Sequence, residues 1–339
     1  MGVDDAPRSA PVTEPAGPLV TMLLLAYNQE AFIGAAITGA LRQTHAPLEI
    51  VISDDASTDG TYAAIQAAIA DYRGPHRLIV NRNPANLGIG ANLNRMVALA
   101  HGELLFIAAG DDVSVPERCA TTVQAWLAAQ RQPDLISSAL VDMAIDGSLH
   151  ERITPTDLAT LREAADWVAH PPHVIGAAQA WTRRVYDRFG PLPDRAMGED
   201  MLMVFRAVLS GGAITLPDAL VHYRRGGISR RMRALSAADV TRRLLKNNRH
   251  ALAELPQLLS DARTAGKLAA VEVPLTARLA RERFIAAIFE APGTAAQVTL
   301  AARAHNVPLS VRLRMLVYAA APGLSAPFFA LKRWRARRG

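Results

Sequence analysis

The run Leu104-Leu105-Phe106-Ile107-Ala108-Ala109-Gly110-Asp111-Asp112 ends an apolar segment in two adjacent carboxylates. Strand packing has no use for like charges side by side at a strand terminus, so the pair points to a ligand outside the strand. Paired acids in this position suit Mg²⁺ or Mn²⁺, with phosphate oxygens and water completing the shell. A second group, Asp54-Asp55-Ala56-Ser57-Thr58-Asp59-Gly60, also follows an apolar run. Asp59 before Gly60-Thr61 reads as an ordinary helix cap, but Asp54 and Asp55 lie outside the cap. A third pair, Glu199-Asp200, follows Gly198 and opens an apolar helix. Acids there favour the helix macrodipole whatever their function, and a helix start facing a pocket also holds a general base rigidly.

These groups need elements to position them. From Leu19 the period alternates between strand and helix: apolar runs at Leu19–Ala26, Leu48–Ser53, Arg77–Val80 and Glu103–Ala109 are separated by helical stretches at Glu30–Arg42, Gly60–Tyr72 and Gly90–Ala100. Units of this length predict an α/β fold, a mostly parallel sheet flanked by helices. Ligands of such sheets lie beyond the carboxyl ends of the strands, so Tyr27-Asn28, Asp54-Asp55 and Asp111-Asp112 converge on one rim. So many carboxylates repel a bare phosphate, and a diphosphate must arrive with a divalent cation. Further along, Val174–Trp181 and Ala213–Tyr223 read as strands and Met201–Leu209 as a helix. The stretch from Leu135 to Met197 is irregular, and the chain from about Ala234 is almost wholly helical.

Composition bounds the alternatives. With 339 residues, half of them hydrophobic, the chain can bury a substantial core. Its one cysteine, Cys119, excludes an internal disulfide framework, and no histidine has an evident claim to activate it. The first 18 residues, rich in proline and without a basic segment leading into an apolar run, read as a disordered leader, which favours a cytoplasmic chain. Residues 231–339 carry 19 Lys and Arg against 6 Asp and Glu, while residues 1–230 carry 18 against 25, so the two regions suit different partners. Gly88-Ile89-Gly90 is an incomplete dinucleotide pattern after the wrong strand, and no P-loop, G-x-S-x-G, H-E-x-x-H or paired C-x-x-C is present.

Three ordered strings, "VTMLLLAYNQEAFIGAAITGALRQTHAPLEIVISDDASTDGT", "NLGIGANLNRMVALAHGELLFIAAGDDVSVPERC" and "GEDMLMVFRAVLSGG", resemble family 2 glycosyltransferases of the GT-A fold, over roughly Leu19 to Ser229. The resemblance implies a GT-A, Rossmann-like domain over 19–230, followed at 231–339 by a basic helical region. It implies that Leu25, Ala26 and Tyr27 line a nucleobase pocket, that Asp55 bonds the base, and that Asn86 and Gly88 pass beside the nucleotide. By the same resemblance Asp111 contacts ribose or sugar, Asp112 ligates Mn²⁺ or Mg²⁺, and Asp200 is the catalytic base with Glu199 beside it. Tyr223 and Arg224 match a loop that closes over the diphosphate or acceptor, although a histidine often found shortly after them is glycine here. The implied activity is inverting transfer of a sugar from a nucleotide-diphosphate sugar, UDP foremost, to a carbohydrate or lipid-linked acceptor, in cell-surface glycan synthesis. The alternatives are a nucleotidyltransferase, disfavoured because no glycine-rich basic triphosphate loop follows the first strand, and a silent sugar-nucleotide-binding scaffold.

Met315 to Leu331 is 17 residues without a charge, flanked by Arg312, Arg314, Lys332 and Arg333 and interrupted by Pro322-Gly323 and Pro327. It is short for a membrane span and reads as a bent segment lying on an anionic membrane surface, the inner face for a cytoplasmic protein. Phe328, Phe329 and Trp334 among Arg335, Arg337 and Arg338 suit the headgroup region. The competing reading is a helix packed on the domain with a solvated basic end. Nucleic acid is not an expected partner, because no recognised nucleic-acid module accompanies the charge.

Overall fold

The computed structural model describes residues 17–194, 196–224 and 237–321. Most of the expected leader, the Arg225–Ser229 loop and the tail from Pro322 lie outside the described residues. The first half alternates as the periodicity predicts: β1 (Val20–Ala26), α1 (Ile33–Leu41), β2 (Leu48–Asp54), α2 (Thr61–Ile69), β3 (Arg77–Arg82), α3 (Ile89–Leu99) and β4 (Leu104–Ala109). Next come β5 (Val113–Ser114), α4 (Arg118–Ala128), β6 (Leu135–Met143), β7 (Leu149–Ile153), α5 (Ala164–Ala169), β8 (Gln179–Thr182), α6 (Arg183–Phe189), α7 (Glu199–Val208) and β9 (Ala213–Arg224). The described chain ends in α8 (Ala237–Thr264), α9 (Glu272–Glu290), α10 (Thr294–Arg303) and α11 (Leu309–Ala320).

The strands form one sheet in the order β3-β2-β1-β4-β8-β6-β9-β5, with β7 on the side of β6. β3, β2, β1 and β4 are parallel, β8 runs antiparallel between β4 and β6, and β6 is parallel to β9. The register sets Ala26 beside Asp54 and Leu25 beside Ala109, so three strands end together on one rim.

Both faces are covered, and the strand period of two divides the residues between them. Met22, Leu24, Ile50, Ile52, Leu104 and Phe106 face one core with Ile33, Ala36, Ile37 and Ala40 of α1, spaced as one helix face requires. Leu23, Val51, Leu105 and Ile107 face the opposite core with Leu93, Met96 and Val97 of α3. That second core continues into the C-terminal helices: Leu255, Leu258 and Ala262 of α8 pack with Leu202, Met203 and Phe205 of α7. The contact is stapled by a fully buried ion pair, Arg206 Nε to Asp261 Oδ2 at 2.8 Å. Arg206 also donates to the carbonyls of Gly190 and Pro191, at 2.7 and 3.3 Å.

Two stretches differ from the sequence reading. The expected strand Val174–Trp181 is a 3₁₀ turn at Gly176–Ala178 followed by the short β8, because this segment passes in front of the α7 start before joining the sheet. The stretch expected to be irregular contains β6, whose Ser137, Ser138 and Asp142 interrupt an apolar run although the strand is buried. Of the apolar run expected at a membrane, Met315–Ala320 belongs to α11, and Met315 packs against Phe284, Ile285 and Ile288. Among the described residues no helix is long and apolar enough to cross a membrane.

Candidate active site

Above the rim lies a cavity of about 610 Å³, bounded by the ends of β1, β4 and β9, the starts of α3 and α7, and the 174–177 turn. Leu25, Ala26, Tyr27, Asp55, Asp111, Asp112, Glu199, Asp200, Tyr223 and Arg224 all line it. The structure therefore gathers three acid motifs, spread along the chain from Asp55 to Asp200, into one concave site, the usual form of a ligand pocket.

The two acids after β2 divide their work. Asp54 is fully buried, accepts from the Ser57 N–H and pairs with Arg82 at 3.2 Å, so it shapes the turn and does not face the cavity. Asp55 reaches the cavity wall while its carboxylate organises the loop before α3. Its Oδ1 accepts from Asn83 Nδ2 at 2.8 Å and the Leu87 N–H at 2.9 Å, and its Oδ2 from the Gly88 N–H at 2.9 Å. Gly88 caps α3 at φ +83, a conformation that costs glycine little. Asn86 donates to the Asp55 carbonyl at 3.3 Å. Asn86 and Gly88, expected beside the ligand, thus meet Asp55 from behind and do not line the cavity themselves. Asp59 caps as read, accepting from the Thr61 N–H and hydroxyl.

The acid pair after β4 is held by the end of β9. Asp112 Oδ1 accepts the Arg224 N–H at 2.7 Å, and Arg224 Nε donates to the Asp111 carbonyl at 2.8 Å. The Arg224 guanidinium also donates to the carbonyls of Ala144 and Ile145, and lies 4.5 Å above the Phe32 ring. Arg224 is thus a clamp on the acid pair, with most of its donors already engaged. Burial, then the neighbouring Asp111 charge, push the Asp112 carboxyl up to about 8, outweighing the Arg224 N–H. Burial likewise raises Asp111. A pair that resists carrying two bare charges is relieved by a cation. Among the described residues no third acid, histidine or cysteine joins it in a metal cluster. Such a donor set fits a divalent ion held by one or two carboxylates and completed by diphosphate oxygens and water.

At the other wall Glu199 and Asp200 form the first turn of α7. Both carboxyls are raised, chiefly by burial, Glu199 the further because the Asp200 charge adds to it. Among the described residues Glu199 Oε2 is buried without a hydrogen-bond partner. Burial thus holds the pair above the ordinary carboxylate range, Asp200 to about 6, and makes two bare charges side by side costly. Behind them stands an acid the sequence reading missed: Glu254 of α8 accepts the Gly198 N–H at 2.9 Å. A methyl group on Gly198 would stand 2.9 Å from that oxygen and push the Glu254 carboxylate off the Gly198 N–H. No local signal marks Glu254, which lies on an amphipathic helix 54 positions beyond Asp200. Cys119 is buried and its thiol is pushed up to about 12, which removes it as a nucleophile.

Comparison with known proteins follows the same lines. Residues 21–136 match the model of "Glycosyl transferase family 2". The chain is 30% identical over 323 residues to the succinoglycan biosynthesis protein ExoO of Rhizobium meliloti, covering 88% of this chain and 87% of that one. Among solved structures, Staphylococcus aureus TarS in complex with UDP-GlcNAc aligns with a TM-score of 0.53 at 17% identity, over 90% of each chain. The mannosyltransferase PcManGT of Pyrobaculum calidifontis, in complex with GDP-Man and Mn²⁺, aligns with a TM-score of 0.51 at 20% identity, over 92% of this chain and 87% of that one. With its GT-A-like sheet, its rim of acids and a relative matched almost end to end, the chain belongs to glycosyl transferase family 2.

Proposed function

We propose that the protein moves a sugar from a nucleoside-diphosphate sugar, with UDP as the nucleotide, to an acceptor hydroxyl, inverting the anomeric centre, in glycan assembly. The observation that carries this reading is the convergence of Asp55, the Asp111–Asp112 pair and Asp200 on one cavity. The likeness to a succinoglycan biosynthesis protein supports a glycan product. The complexes of TarS with UDP-GlcNAc and of PcManGT with GDP-Man and Mn²⁺ are examples of sugar nucleotides on this fold.

In this reading the nucleobase lies over Leu25, Ala26 and Tyr27 beside Asp55, and the diphosphate points toward Asp112. The ionised Asp200 takes the acceptor hydroxyl proton as its oxygen bonds to the anomeric carbon. The bond from that carbon to the diphosphate oxygen breaks, and its electron pair leaves with the nucleoside diphosphate. When bound, a Mn²⁺ or Mg²⁺ held by Asp112, with Asp111 beside it, supplies stabilisation of the negative charge on that leaving group. A single displacement inverts configuration and needs no second carboxylate as a nucleophile. Arg224 keeps the acid pair in place, and Tyr223 borders the acceptor side. The reading is tested by metal-dependent UDP binding and by the anomeric configuration of the transferred sugar; retention of configuration contradicts it.

The acceptor side of this proposal is a membrane surface, reached from the cytoplasmic face. On α11 Leu309, Leu313 and Val317 are 59%, 54% and 38% exposed at a spacing of four, one apolar stripe beside the exposed Arg314. The sequence that follows continues with apolar residues and five Lys and Arg between 332 and 338. Sedimentation with phosphatidylglycerol vesicles, but not phosphatidylcholine vesicles, at physiological salt is the expected result. Protein left in the supernatant with both contradicts it.

A further inference from the structure

Beneath the nucleobase end of the cavity lies a buried polar network. Asn81 Nδ2 donates to Ser53 Oγ at 2.9 Å, and Ser53 Oγ donates to Asn92 Oδ1 at 2.6 Å. Asn83 Nδ2 donates both to Asn92 Oδ1, at 2.9 Å, and to Asp55 Oδ1, at 2.8 Å. One amide nitrogen thus holds the Asp55 carboxylate and the Asn92 side chain next to each other. The network also settles which way the Asn92 amide points, because both inward bonds need an acceptor and only its oxygen accepts.

Asn92 is only 2% exposed, yet it lines the cavity. With its oxygen spent on Ser53 and Asn83, the end left for the cavity is Nδ2, which donates no hydrogen bond among the described residues and is not among the sealed, unpartnered atoms. Among the described residues Asp55 Oδ2 accepts one bond, from the Gly88 N–H, and so keeps acceptor capacity. The wall therefore carries a charged acceptor and a neutral donor on two side chains that one Asn83 amide nitrogen ties together, both fixed by buried partners before any ligand arrives.

We propose that Asn92 reads the base of the donor nucleotide together with Asp55, selecting bases that present an N–H next to a carbonyl. Uracil, thymine and guanine carry that edge: the ring N–H donates to Asp55 Oδ2 and the carbonyl accepts from Asn92 Nδ2. Held with the ring in the same place, cytosine and adenine set a ring nitrogen lone pair against the carboxylate and an amino N–H against the amide N–H, and pairing them needs a shift of the whole base. A buried polar group left unpaired by the wrong ligand is a strong source of discrimination. The assignment rests on the reading of this cavity as a nucleoside-diphosphate site, and adds the residue that makes it selective.

The test is calorimetric titration of UDP, dTDP, GDP and CDP with Mn²⁺ into the full chain, Asn92→Asp and Asn92→Ala, with Mn²⁺-pyrophosphate as the base-free control. Asn92→Asp keeps an acceptor for Ser53 and Asn83, so its thermal midpoint should stay near that of the wild type, and it replaces the donor by an acceptor. The expected result is a wild type that prefers UDP, dTDP or GDP over CDP, with the three showing which imide base fits. In Asn92→Asp that affinity falls by about tenfold or more, while pyrophosphate binding is unchanged. A folded Asn92→Asp with wild-type affinity and wild-type preference overturns the assignment. Wild type that binds Mn²⁺-pyrophosphate but discriminates among no bases also overturns it and leaves the phosphate site standing. Failure of every nucleotide and of pyrophosphate overturns the donor-site reading itself.

Discussion

Asp200→Asn is expected to lower kcat for sugar transfer by about 10²–10⁴-fold, the range over which a positioned general base contributes. Asparagine preserves the shape and the α7 start but cannot take the acceptor proton. The pH dependence separates a lost base from a disturbed pocket. Asp200 acts ionised and its carboxyl is raised to about 6, so activity falls as pH falls through that value, earlier than an ordinary aspartate would impose. The residual rate of Asp200→Asn should lack that acid limb, and nucleotide binding should stay close to wild type. A variant with unchanged kcat, or one that keeps the limb, would remove Asp200 from the role.

Asp261→Ala is expected to destabilise the fold by about 3–5 kcal/mol, because it strands a buried guanidinium. Arg206 and Asp261 are 0% and 1% exposed, and the pair lies where α8 meets α7. Arg206 keeps its bonds to the carbonyls of Gly190 and Pro191, which places the expectation toward the lower end of that range. The double replacement Arg206→Met with Asp261→Leu should cost less than Asp261→Ala alone, since it leaves no unpaired charge. Urea denaturation measures both. A loss under about 1 kcal/mol for Asp261→Ala would mean water reaches the guanidinium and the helices are not locked there. The pair also bears on the site, because the docking it secures brings Glu254 to the Gly198 N–H behind Glu199 and Asp200.

The parallel half of the fold is legible because each of its buried strands is a continuous apolar run closed by polar residues, and each intervening helix shows a single apolar face. Ile33, Ala36, Ile37 and Ala40, or Leu93, Met96 and Val97, can be read from spacing alone. β6 and β8 are not legible in that way. β6 carries Ser137, Ser138 and Asp142 in a buried strand, and β8 is four residues long after an alanine-rich turn, so neither shows a clean period. At the site, residue type identified the acid pairs but not their division of labour. Asp54 and Asp55 are indistinguishable as a doublet, and only the partners Arg82 and Gly88, brought in by β3 and the α3 loop, turn one inward and the other toward the cavity. Glu254, the Ser53–Asn92 bond and the Phe32–Arg224 contact depend on pairing across long sequence separations, for which no local pattern exists.

The central claim, that the acids after β4 hold a cation for a nucleoside diphosphate, is tested most directly by titrating UDP into the protein with and without Mn²⁺, and repeating the titration with Asp112→Ala. The predicted result is binding of UDP that strengthens markedly with Mn²⁺ in the wild type and loses that gain in Asp112→Ala while the fold persists. Binding of equal strength with and without metal, or an Asp112→Ala variant that keeps the full metal-dependent gain, would contradict it.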